Sequence, residues 1–239
     1  MYGWRCRIGL IVPSSNTTME PEFWRMAPKG VSIHASRVRL SEVTPEALKQ
    51  MSSEAVRAAE ELTTAEVDVI VYGCTSGSLL EGVKWEESLR REIESRVGVK
   101  TVTTAQAVAE ALRTLGLKRV AVATPYIEEI NAREKAFLES VGFAVVRIRG
   151  LGIVKNTEIG RQPAWVAYRL AREVVREAKS AVDGVFISCT NFRTLEVVGV
   201  LEEELGLPAV SSNTASMWLA LRTAGIRDKL NYGRLLREH

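Results

Sequence analysis

A chain of 239 residues, 46% hydrophobic and 26% charged, has enough apolar side chains for one large α/β domain or two small ones. Its formal charge of +3, with lysines and arginines scattered among acids, argues against a nucleic-acid surface. No apolar run approaches the ~18 residues that span a bilayer, and Met1-Tyr2-Gly3-Trp4-Arg5 reads as running straight into a strand with no leader, so a cytoplasmic protein without a membrane partner is expected.

In chain order, Arg7 to Val12 is an apolar strand closed by Pro13, and the polar Ser14-Ser15-Asn16-Thr17-Thr18 precedes a helix from about Met19. Val31 to Val38 is a second strand. Thr44-Pro45-Glu46 starts a helix expected to run to about Thr64, with Thr as cap and Pro at the first turn. Val67 to Tyr72 is a buried strand ending at Gly73-Cys74, Leu79 to Arg96 a helix, and Val99 to Val102 a short strand. Thr103-Thr104 caps a helix that stops near Gly116.

The pattern then restarts. Arg119 to Ala123 is a strand broken by Thr124-Pro125-Tyr126, Ile127 to Val141 a helix and Phe143 to Arg149 a strand. A loop from Gly150 to Gly160 leads to a helix at about Pro163 to Lys179. Val182 to Ile187 is a strand ending at Ser188-Cys189, followed by a helix from Leu195 to Leu205 and a strand at Pro208-Ala209-Val210. Ser211-Ser212-Asn213 caps a last helix ending near Gly225. Pro13 precedes Cys74 at nearly the spacing by which Pro125 precedes Cys189, and Leu112-Arg113-Thr114-Leu115-Gly116 is echoed by Leu221-Arg222-Thr223-Ala224-Gly225. Alternating strands and helices with an internal repeat predict two pseudo-symmetric, doubly wound parallel-sheet domains with the site in the cleft between them.

The two cysteines in matching contexts are the candidate catalytic residues. Each is expected at the carboxyl end of a strand just before a helix, where α/β sheets bind ligands and a helix dipole favours a thiolate. A thiolate is both nucleophile and base, and a thiol is an acid. Two of them flanking one substrate can move a proton between opposite faces, or one can attack carbon while the other manages the proton. Cys6 lacks such a context and reads as structural; His34 and the five tryptophans read as packing or surface residues. The only histidines are His34 and His239, so a Ser-His-Asp triad, a Cys-His dyad and a histidine metal site all lack parts. No phosphate-loop or dinucleotide fingerprint is present, and no cofactor or metal is expected. Loop amides at Ser14 to Asn16, Thr75 to Gly77 and Thr190-Asn191 are suited to cradling carboxylates.

Pro13-Ser14-Ser15-Asn16-Thr17-Thr18-Met19-Glu20, Cys74-Thr75-Ser76, Thr124-Pro125-Tyr126 with Asn131, the loop around Asn156, and Ser188-Cys189-Thr190 together resemble the maleate cis-trans isomerases. These belong to a wider group that also holds aspartate/glutamate racemases and arylmalonate decarboxylases. The resemblance implies attack by Cys74 on an alkene carbon of maleate, rotation in a succinyl-cysteine-like adduct, and elimination of fumarate, with Cys189 handling the proton. It implies that Asn16, Tyr126 and Asn156 hold the substrate carboxylates and, with Ser14, Thr75, Ser76 and Thr190, make up the binding site. It further implies a small dicarboxylate as the partner, a homodimer, and a permuted division into residues 1–103 plus 212–239 carrying Cys74 and residues 104–211 carrying Cys189. A two-cysteine amino-acid racemase is the nearest alternative, although Thr75-Ser76-Gly77 follows the first cysteine where racemases carry Asn-Thr. A decarboxylase fits less well because that branch lacks the first cysteine. A non-catalytic acid-binding module is the remaining reading. Arg193 is either a carboxylate partner or half of a surface ion pair.

Overall fold

The computed structural model describes residues 2–179 and 182–239; Met1, the first residue of the expected approach to the opening strand, lies outside them. The apolar run β1 (Cys6–Pro13) is buried on both faces, as a strand flanked by parallel neighbours requires. It pairs in parallel with β2 (Val31–Val38) on one side and β3 (Val69–Tyr72) on the other, and β4 (Thr101–Thr103) extends the sheet beyond β3. The second half repeats the plan. Strand β5 (Arg119–Thr124) lies between β6 (Ala144–Gly150) and β7 (Gly184–Ile187), with β8 (Ala209–Ser211) outside β7. The two four-stranded sheets therefore have matching orders, β2-β1-β3-β4 and β6-β5-β7-β8. In each, the strand order reverses between the first strand and the third, which opens a crevice at their carboxyl ends.

In the first half, helices α1 (Met19–Met26), α2 (Pro45–Ser53), α3 (Ala55–Thr63), α4 (Thr75–Leu79), α5 (Val83–Val97) and α6 (Thr104–Thr114) connect or follow the strands. The second half adds α7 (Glu128–Ser140), α8 (Asn156–Gly160), α9 (Ala164–Glu177), α10 (Val198–Leu205), α11 (Ser212–Thr223) and α12 (Arg234–Glu238). The caps follow the sequence. Thr44 Oγ1 accepts from Ala47 N at 3.4 Å, Thr103 Oγ1 from Gln106 N at 3.1 Å, and Ser211 forms a reciprocal capping box with Thr214. Gly116 (φ +70°) and Gly225 (φ +76°) end the two echoed helices in the left-handed conformation that favours glycine. Helices α6 and α11 pack on each other. One apolar core joins their Ala107, Val108, Leu112, Met217 and Leu221 to Val69 and Val71 of the first sheet and Val120 and Val122 of the second.

Several expected elements differ. The helix expected to Thr64 breaks at Glu54, and that expected from Leu79 to Arg96 starts only at Val83, because Gly82 (φ +87°) cannot lie within a right-handed helix. The Gly150 to Gly160 loop contains α8, and α12 was not foreseen. The helix expected from Leu195 begins at Val198. The N–H groups of Thr194 and Leu195 are instead captured by the Glu22 carboxylate.

Candidate active site

Cys74 and Cys189 follow β3 and β7, the equivalent strands of the two sheets, and both side chains are buried. Cys74 has extended backbone and caps α4, its sulfur accepting from Gly77 N at 3.4 Å. A side chain at position 77 would collide with Met51 Cε at 2.7 Å and sit 3.2 Å from the Cys74 sulfur, so glycine lets the turn close over the thiol. Cys189 departs from expectation: no helix starts behind it. It lies in a turn at φ +94°, a strained conformation for a residue with a Cβ, and its sulfur accepts from Asn191 N at 3.4 Å. The polar groups that hold this turn come from other segments and replace the expected helix terminus.

Ser212, at the start of α11, joins the two cysteine loops. Its hydroxyl accepts from Thr75 Oγ1 at 2.9 Å and from Cys189 N at 3.0 Å. Thr190 makes a second link, donating to Gly73 O at 3.1 Å while accepting from Asn16 Nδ2 at 3.0 Å. Asn16 Oδ1 caps α1 by accepting from Thr18 N and Met19 N, both at 2.9 Å. One Asn16 side chain thus orders its own helix and reaches the opposite half. Asn156 Nδ2 donates to Ser15 Oγ at 2.8 Å, and the Asn156 carbonyl accepts from Asn191 Nδ2 at 2.7 Å. Asn191 also accepts from Thr17 N at 2.9 Å.

Thr75, Ser76, Thr190, Asn16, Asn156 and Tyr126 are all buried with the two thiols. Ser14 is not part of this cluster; it is exposed, and its hydroxyl exchanges bonds with the backbone of Leu40 at 3.1 and 3.3 Å. Asn131 lies on the inner face of α7 and accepts from Thr124 Oγ1 at 2.5 Å, fixing the turn into Tyr126. Arg193 is a surface ion-pair residue, forked onto Glu196, which Arg25 also meets at 2.5 Å.

Burial pushes the Cys189 thiol up to about 12, against the pull of the Tyr126 hydroxyl and the Asn191 N–H, and negative charge on Cys74 or Glu134 pushes it further. Burial likewise raises Cys74, opposed by the Gly77 N–H and the Ser76 hydroxyl. The two thiols feel each other's charge, so ionising one disfavours ionising the other. Such a pair is held back from carrying two negative charges at once. Tyr126 is raised well above its ordinary value by burial and then by Cys189, which keeps its hydroxyl a donor.

Sequence reasoning passed over Ser212 and Asn213, visible there only as a helix cap, and Glu22, an acid in a first helical turn where acids are common. Glu22 is buried; Oε1 accepts from Thr194 N at 2.9 Å and Leu195 N at 3.0 Å. Its Oε2 accepts at 2.7 Å from Asn213 Nδ2, which also donates to Thr190 O at 3.1 Å. Glu22 thereby moors the Cys189 segment to the first half. Among the described residues no cluster of His, Cys, Asp and Glu has the composition of a metal site, and no helix is long and apolar enough to cross a membrane.

Two like parallel sheets, each with a buried thiol at the carboxyl end of its third strand, form an α/β architecture of the kind that binds ligands at such strand ends. The chain belongs to the arylmalonate decarboxylase family, whose model matches residues 8–236. A maleate isomerase of Geobacillus stearothermophilus is 31% identical, with 96% of each chain covered. An arylmalonate decarboxylase of Bordetella bronchiseptica is 32% identical over 97% of this chain and 96% of that one. Among solved structures, a cysteine-to-serine mutant of Nocardia farcinica maleate cis-trans isomerase, holding a covalently bound succinylcysteine intermediate, superposes with a TM-score of 0.91. It is 30% identical, and the match covers 98% of this chain and 99% of that one.

Proposed function

We propose that this protein is a maleate cis-trans isomerase that needs no cofactor and works through Cys74 and Cys189. The observation that carries the reading is the buried thiol pair at equivalent strand ends, in a chain that matches maleate isomerases along nearly its whole length. The Cys74 thiolate attacks one alkene carbon of maleate. The alkene π pair moves onto the neighbouring carbon and into its carboxylate as an enediolate, leaving a single bond between the former alkene carbons. Rotation about that bond and expulsion of the thiolate re-form the double bond as fumarate. Cys189 protonates the neighbouring carbon to give the succinyl adduct and removes that proton before elimination. A thiolate serves as both attacking and leaving group, which a hydroxyl does poorly.

Asn16, Tyr126, Asn156, Thr75, Ser76 and Thr190 are neutral, so the two carboxylates are held by N–H and O–H donors rather than by fixed cations. Asn16 and Asn156 are engaged with Thr190 and Ser15, and they exchange these bonds for substrate on binding. The division into residues 1–103 plus 212–239 and residues 104–211, a dimer of identical chains and a cytoplasmic setting belong to the same proposal; size-exclusion chromatography with light scattering tests the dimer.

Decarboxylation of an arylmalonate is the second reading, favoured by the Bordetella relative. Two cysteines exceed what one-sided protonation of a decarboxylated carbanion requires. Proton NMR of maleate incubated with wild type, Cys74→Ser and Cys189→Ser decides between them. Fumarate from wild type and none from Cys74→Ser is expected. Fumarate at an equal rate from Cys74→Ser would overturn the covalent step. Carbon dioxide from phenylmalonate with no fumarate from maleate would establish the decarboxylase instead.

A further inference from the structure

Asn191, two residues after Cys189, is buried, and its backbone and side-chain polar groups are all bonded. Its N–H meets the Cys189 sulfur, and its carbonyl accepts from Thr18 Oγ1 at 3.0 Å. Its carboxamide lies between the turn before α1 and the start of α8. Oδ1 accepts from Thr17 N at 2.9 Å, while Nδ2 donates to Asn156 O at 2.7 Å and to Asn156 Oδ1 at 3.2 Å. A backbone N–H can only donate and a backbone carbonyl can only accept. Thr17 and Asn156 therefore fix which end of the Asn191 carboxamide is oxygen and which is nitrogen. This close approach needs a glycine at the end of α8: a Cβ at position 160 would stand 2.6 Å from Thr17 Oγ1 and 3.0 to 3.1 Å from the Asn191 carboxamide.

The two ends of an asparagine carboxamide are alike in shape and opposite in polarity, and only the NH2 end can hold a carboxylate. At Asn156 both ends are settled by bonds that terminate on the backbone. Its Oδ1 faces the Asn191 NH2 group, whose orientation the Thr17 N–H fixes. Its Nδ2 donates at 2.8 Å to Ser15 Oγ, whose own proton goes to Leu40 O.

We propose that Asn191 is a positioning residue for Asn156: it holds the Asn156 carboxamide with its NH2 end toward Ser15, so that a carboxylate displacing the Ser15 hydroxyl meets N–H donors and not a carbonyl oxygen. The proposal rests on the reading of Asn156 as a carboxylate-binding residue. A reversed amide would set a carbonyl oxygen against the carboxylate, repulsion in place of a charge-assisted hydrogen bond. The segment that carries Cys189 thus also sets the polarity of the donor on α8.

The test reads the Asn156 amide directly, by NMR of substrate-free protein labelled with nitrogen-15 asparagine. The Asn156 NH2 pair is identified by its absence from Asn156→Ala. Asn191→Leu keeps the bulk of the side chain and removes both amide ends. In that variant the Asn156 pair is expected to move and to exchange with solvent about tenfold faster or more, while the Asn131 pair on α7 stays in place. With maleate, KM is expected to rise about tenfold or more and kcat to stay within about threefold of wild type, because binding common to ground and transition states is lost. Should the leucine variant fold poorly, Ser15→Ala tests the same orientation without touching Asn191: the Asn156 pair moves if its NH2 end faces Ser15. An Asn156 pair unchanged in Asn191→Leu or in Ser15→Ala, or a loss confined to kcat, would overturn the proposal. If wild type leaves maleate unconverted, the isomerase reading falls, and the NMR measurement still decides the orientation of Asn156.

Discussion

Replacing Glu22 by alanine tests whether the Cys189 turn is held from the opposite half. The carboxylate satisfies the backbone N–H groups of Thr194 and Leu195 and the amide of Asn213, at 2.7 to 3.0 Å. Without it the two N–H groups are left buried, at about 1–3 kcal/mol each, and the Asn213 bond adds about 1 kcal/mol. Burial also raises the proton affinity of this carboxyl, so removing it relieves some desolvation. A net loss of about 2–4 kcal/mol is expected in urea unfolding. Glu22→Gln keeps an acceptor for both N–H groups but sets its own amide against that of Asn213, and should lose about half as much. With the turn loosened, kcat should fall on the order of 10–100-fold, because small misplacement of a reacting group is costly. Unfolding within about 0.5 kcal/mol of wild type, with kcat unchanged, would refute the mooring argument.

Two further outcomes follow from the geometry of the site. The folded Glu134 carboxyl titrates near 8, against an unfolded value of about 4.3. Its stabilisation is full below the unfolded value and is lost as pH rises through the folded one, about 5 kcal/mol in all. Urea unfolding at low and high pH should therefore show a loss between about pH 4 and 8 that Glu134→Gln removes; parallel curves for the two proteins would count against a neutral buried carboxyl. At Cys189 the φ of +94° penalises any residue with a Cβ, so Cys189→Gly should be more stable than Cys189→Ala by about 1 kcal/mol in thermal or urea melts. Equal stabilities would mean that the turn relaxes when the thiol is lost.

Much of the fold was legible because its signals are local. Apolar runs such as Ile8 to Val12 fit only a strand covered on both faces, and Thr44-Pro45, Thr103 and Ser211 mark helix starts by their own hydrogen bonds. The repeat of a cysteine after the third strand of each half was readable for the same reason, because β3 and β7 are continuous apolar runs that end at Gly73-Cys74 and Ser188-Cys189. What surrounds the cysteines was decided elsewhere. Glu22 takes the N–H groups of Thr194 and Leu195, residues far away in sequence, and so delays α10 and leaves Cys189 in a strained turn without a helix behind it. Ser212 joins the two thiol loops only because α11 packs back across both halves, and Glu134 is cut off from water only because α7 lays that face against the core. Strands, caps and thiol positions depend on neighbouring residues, so the sequence by itself determined them. The polarity and protonation of the site depend on which groups are brought together and cut off from water, and only the tertiary structure decided that.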